Sequence, residues 1–100
     1  VTRKIFLRPE AEVDLASVWE YTVETWSRAQ AERYLHDIGE VFLTLANFPE
    51  LARLRPEFDP PVRIHTFRKH VIIYVFDDTT IEVIRVVHGR TNWAVYLATE

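Results

Sequence analysis

The inward-facing residues of this 100-residue chain change their spacing once, and prolines mark the change. Before residue 47 they recur with a helical period, at Ala11, Leu15, Val18, Trp19, Thr22 and Trp26, then at Ala31, Tyr34, Leu35, Ile38, Phe42 and Leu45. After residue 61 they crowd into VRIHTF (62–67), VIIYVF (71–76) and IEVIRVVH (81–88). These β-branched and aromatic runs are parted only by RKH and DDTT. The segment between, NFPELARLRPEFDPP (47–61), holds four of the five prolines and cannot be helix or central strand throughout. A helical half followed by a stranded half, with no repeat, predicts one α+β domain over residues 1–100.

Local signals place the boundaries. KIFL (Lys4 to Leu7) reads as a short strand, and Pro9 suits the first turn of a helix, with Glu10 and Glu12 at its positive end. Glu10, Asp14, Ser17, Glu24 and Thr25 fall on the outer face. Ser27 with Gln30 three residues on is a capping box, so a second helix begins there, antiparallel to the first. Gly39 lies inside that helix at a cost of about 1 kcal/mol relative to Ala; close packing against a Trp of the first helix is the expected reason. The short turns between the three later runs make them an antiparallel meander. TNWAVYLATE (91–100) reads as one short helix capped by Thr91 or Asn92, with Trp93 and Leu97 inward. The predicted order is β-α-α-β-β-β: a helical hairpin on one face of a four-stranded, mainly antiparallel sheet. Trp19, Trp26, Leu35 and Phe42 are expected to be buried between the two layers.

Composition narrows the function. The formal charge is −3, from 12 Lys and Arg against 15 Asp and Glu. That balance is poor for a protein living on nucleic acid, where phosphate neutralisation supplies most of the affinity, and points to a protein partner. No cysteine is present, which removes disulfides, thiol catalysis and Cys-based zinc sites. The longest apolar run, Val71 to Phe76, is too short to span a bilayer, and no signal peptide is visible, so a cytoplasmic protein without membrane contact is expected. His65 and His70 straddle a turn, and His36 and Asp37 are adjacent on a helix. Neither pair has ligand geometry, so no metal or other cofactor is expected. Asp77-Asp78 is ordinary turn chemistry.

Several stretches together resemble the ParE toxins of the RelE/ParE superfamily, from bacterial type II toxin–antitoxin systems. They are Pro9-Glu10-Ala11, Asp14-Leu15, Trp19 with Tyr21, Trp26, the run Gln30 to Tyr34, Phe48 to Leu51, Arg63, and HVIIYVFDDTTIEVIRVVHGRTNW. The resemblance spans nearly the whole chain. It implies a toxin, associated with plasmid stabilisation, that inhibits DNA gyrase and is neutralised by a ParD-like ribbon-helix-helix antitoxin. RelE-like relatives on the same fold are instead ribosome-dependent mRNA endonucleases, and a homologue that binds antitoxin without being toxic is a third possibility. One fold hosting several functions means that site chemistry must decide.

Cleaving RNA through its own 2′-oxygen needs a base, an acid and cations for the phosphorane. Arg63, His65, Arg68, Lys69, His70, Arg85, His88 and Arg90 lie on or beside the sheet runs. Strict alternation, however, puts Ile84, Val86 and His88 on one face and Val83, Arg85 and Val87 on the other. On that pattern Arg85 and His88 do not converge on one phosphate. The only late tyrosine, Tyr96, falls in the tail, and a non-enzyme is expected. His88, beside Gly89, reads as a strand-end histidine bonded to backbone; Gly89 reads as a positive-φ exit. Arg85 admits two roles, a salt bridge to Asp14 or Glu10, or docking. Trp93 reads as core more than as a ligand platform. The residues expected to bind antitoxin or target are Arg53, Arg55, Arg63, Arg85, His88, Arg90 and Trp93, beside an apolar hairpin groove that receives an amphipathic antitoxin helix.

Overall fold

The computed structural model describes residues 2–97. Strand β1 (Lys4–Leu7) leads into helices α1 (Pro9–Thr25) and α2 (Arg28–Asn47), followed by strands β2 (Leu54–Arg55), β3 (Val62–Phe67), β4 (His70–Phe76) and β5 (Thr80–His88). A short 3₁₀ helix, Trp93–Leu97, occupies the expected tail-helix position. Pro9 opens α1, and the Ser27 hydroxyl accepts the Gln30 amide at 3.0 Å, so both helix starts follow their sequence signals. No helix among the described residues is long and apolar enough to cross a membrane.

The sheet has five strands rather than four, in the order β1-β5-β4-β3-β2. The extra strand pairs Leu54 with Arg63 and Arg55 with Val62, at the free edge where prolines on either side do no harm. Two residues are too few to show alternation, so no pattern announces it. The sheet is also mixed, because β1 runs parallel to β5 while the other pairs are antiparallel. Tyr74, fully buried, donates its hydroxyl to the Pro49 carbonyl at 2.7 Å, and Arg63 donates to the Ala52 carbonyl at 2.7 Å. These two bonds hold the proline-rich connection against the sheet.

One irregularity changes the meaning of β5. Ile73 pairs with Arg85, but Tyr74 pairs with Val83, so Ile84 stands opposite no partner in a β-bulge. Val83 and Val86 therefore share the helix side, packed with Ala11, Ile38, Phe42 and Leu45. Ile84 and Val87 share the opposite side, with Val62, Val71 and Ile73 under Phe58, Trp93 and Leu97. The sheet thus has two cores, one roofed by the helical hairpin and one by a loop and the tail.

Three further expectations change. Phe42 is buried, but Trp19 and Leu35 are half-buried and Trp26 is 66% exposed. The reason is local: α1 stops at Thr25, and Trp26, with φ −123° and ψ −86°, no longer follows the helical projection. Gly89 does not have a positive φ; the left-handed residue is Arg68, φ 53°, in the two-residue turn between β3 and β4. Gly39 meets no Trp, since a Cβ built there finds nothing within 4 Å. Gly39→Ala is accordingly expected to raise stability by roughly 0.5–1 kcal/mol, by restricting the unfolded chain without a clash. Urea unfolding checks this, and an unchanged or lower midpoint would mean that the site is crowded after all.

Candidate functional site

A groove of ≈ 860 Å³ runs between the helical hairpin, the β3–β4 turn and the end of β5. Its floor is set by a lock between layers. Asp14, on what the sequence suggested was the outer face of α1, receives Arg85 through Nε at 2.8 Å and a terminal nitrogen at 2.9 Å. The same carboxylate accepts the Val86 amide at 2.9 Å. The hydrogen bond to Asp14 is the main cause holding the Arg85 pKa above the ordinary arginine value. The guanidinium also lies 4.0 Å from the Tyr96 ring centre, tying the tail to the lock. Of Arg85's two possible roles, the ion pair is the one the structure uses.

Arg85 and His88 both line the groove, although regular pairing with β4 from Arg85 to His88 keeps their alternation. Arg85 enters it by reaching Asp14 rather than by sharing a face with His88. His88 accepts the Arg90 backbone amide on Nδ1 at 3.1 Å, so it steadies the turn after β5 through an N–H rather than a carbonyl. Opposite it in register is His70, with ring centres 5.6 Å apart. His70 Nδ1 lies 2.7 Å from the Tyr34 hydroxyl. Burial, and then His88, hold the His70 pKa below the usual imidazole value. Burial raises the Tyr34 pKa, against a smaller opposite pull from Arg68.

Arg68 completes the rim. Its left-handed backbone is uncommon for a residue with a side chain, and of the kind that persists where surrounding contacts fix it. Here the guanidinium lies 4.6 Å from the Phe67 ring centre and 5.5 Å from that of Tyr34, and donates to Asp37 at 2.9 Å. The Lys69 carbonyl accepts the Gly89 amide at 2.7 Å, joining the turn to the strand end.

The seven residues expected to bind therefore divide. Arg85, His88 and Arg90 line the groove. Arg53, Arg55 and Arg63 belong to the β2–β3 side: Arg53 is exposed, Arg55 pairs with Glu57 at 2.7 Å, and Arg63 is half-buried on the Ala52 carbonyl. Trp93 packs into the second core, 5.9 Å from Phe58 between ring centres. Sequence reasoning placed Tyr34 only in an apolar stripe and gave Arg68, Lys69 and His70 no docking role. The cluster RKH at a hairpin turn was its one visible signal.

Comparison with known proteins adds a family. The model described as "ParE toxin of type II toxin-antitoxin system, parDE" matches residues 5–93. Toxin ParE1 of Mycobacterium tuberculosis (strain CDC 1551 / Oshkosh) is 31% identical over 93 residues, covering 92% of this chain and 95% of the relative. Toxin ParE3 of Caulobacter vibrioides is 29% identical over 84 residues, covering 84% of each. A solved structure titled "Chromosomal ParDE TA system from P. aeruginosa" superposes with a TM-score of 0.74 at 19% identity, covering 87% of this chain and 96% of that one, and so shares its fold.

Proposed function

Since this chain belongs to the ParE toxin family of type II toxin–antitoxin systems, we propose that it acts by docking, binding DNA gyrase so that cut DNA is not resealed. In this reading it works in the cytoplasm, needs no cofactor, and is held inactive by a ParD-like ribbon-helix-helix antitoxin. An amphipathic segment of that antitoxin packs on the helical hairpin, where Tyr21 and Trp26 are each 66% exposed. The observation that carries the non-enzymatic reading is the state of the two best catalytic candidates. Arg85 is bound bidentately by Asp14, and His88 Nδ1 is occupied by a backbone amide. An arginine so committed organises structure, and among the described residues no carboxylate bonds His88 to orient it as a base.

One second reading, a ribosome-dependent mRNA endonuclease, is favoured by Arg85, His88 and Arg90 lining one groove. A supercoiling assay with gyrase, run beside an mRNA cleavage assay on translating ribosomes, separates the two. Gyrase inhibition that antitoxin relieves, with mRNA intact, is the expected result. Cleaved mRNA with normal supercoiling would replace docking by catalysis.

A further inference from the structure

The geometry points to the groove as a binding site for the phosphate group of a nucleotide, a property beyond gyrase or antitoxin docking that shares Tyr21 and Trp26 with the docking surface proposed above. Charge is the first argument. Arg68, Lys69, Arg85 and Arg90 line the groove and Asp14 is the one carboxylate among its described residues, in a chain whose formal charge is −3. Asp14 cancels Arg85, and Arg68 shares Asp37 in an exposed pair of little strength. Lys69 and Arg90 have no carboxylate partner among the described residues, and both are exposed. The whole-chain charge that argues against a nucleic-acid track therefore does not describe this spot, where positive charge is concentrated by the fold.

Proton positions are the second argument. The Arg90 amide can only donate, so His88 Nδ1 carries a lone pair and the ring's proton is on Nε2. His70 Nδ1 is bonded to the Tyr34 hydroxyl at 2.7 Å, which leaves Nε2 outside that bond. His88 thus keeps an N–H for a further partner, and His70 keeps Nε2 outside its bond to Tyr34. Donors from the β3–β4 turn, the end of β5 and the residue after it suit a group with several acceptor oxygens. A cation would find little here.

The aromatic surface is the third. Tyr21 and Trp26 are each 66% exposed and Tyr96 is 43% exposed, and all three line the same groove. Flat exposed rings beside cations are the chemistry on which bases stack while phosphates are neutralised. The groove's ≈ 860 Å³ lies within the range of about 300–1,000 Å³ typical of small-molecule sites. An acidic peptide shares the charge but makes less use of the rings.

The test is amide NMR and Trp fluorescence on the full chain, with AMP, adenosine, inorganic phosphate, a short single-stranded oligoribonucleotide and a polyglutamate peptide as probes. AMP is expected to shift the Lys69, His70, His88 and Arg90 amides with a Kd on the order of 1 mM or tighter. Adenosine should fail, and Lys69→Ala with Arg90→Ala should weaken AMP by about tenfold or more while the rest of the spectrum is unchanged. Tighter binding of the oligoribonucleotide than of AMP assigns the site to a strand, and equal binding assigns it to a free nucleotide. Adenosine binding as well as AMP, polyglutamate outcompeting both nucleotides, full affinity in the double variant, or no response to any phosphate probe would each overturn the site.

Discussion

Asp14→Ala is expected to lose about 3–5 kcal/mol of folding stability, the cost of stranding one partner of a half-hidden ion pair. The Arg85 and Asp14 side chains are only 20% and 11% exposed, so water does not replace what is removed. The same substitution takes the acceptor from the Val86 amide beside the bulge. A whole small domain is typically stable by about 5–15 kcal/mol, so the variant should melt far below the parent chain. Urea unfolding measures it. Pairing Asp14→Ala with Arg85→Met should recover part of the loss, because the stranded charge is gone. A single variant within about 1 kcal/mol of the parent chain would show that the pair is as weak as an ordinary surface bridge.

Leu45→Ala should cost about 2–5 kcal/mol, while Trp26→Ala, the larger truncation on paper, should stay within about 0.5 kcal/mol. Leu45 is 0% exposed among Ile38, Phe42 and the sheet, and its loss leaves a cavity that surrounding residues cannot fill. Trp26 is 66% exposed past the end of α1. Its removal should show in gyrase inhibition or antitoxin affinity rather than in the melting curve. A Trp26→Ala chain that loses several kcal/mol would place that ring in a core instead of on the groove.

The contrast between those two residues shows what the sequence made legible. Helix starts, four of the five strands and the tail helix follow from capping, period and turn length, each a property of neighbours in the chain. The roles of Trp26 and Asp14 do not. The angular count along a helix continues past its last turn unless the stop is known, and Asp14 looks outward until the sheet is in place. The bulge at Ile84 is invisible for a similar reason. It is a property of two strands in register, and it decides that Val83 shares a face with Val86 and Ile84 with Val87. The groove was therefore half legible: Arg85, His88 and Arg90 came from one stretch, whereas Arg68, Lys69 and His70 join them through the pairing of β4 with β5, and Tyr34 through its bond to His70.

The parallel contact between β1 and β5 bears on how this protein comes into being. Lys4 finds its register at Thr80 and Leu7 at Val83, so β1 waits for β5. During synthesis the helical hairpin emerges early, but Asp14 has no Arg85 and the groove has no second wall. Such long-range closure is entropically late and slow compared with helix formation. A ribosome-bound chain that stops short of residue 80 therefore carries no finished groove, and the intact site is acquired only once β5 has emerged rather than gradually along the chain.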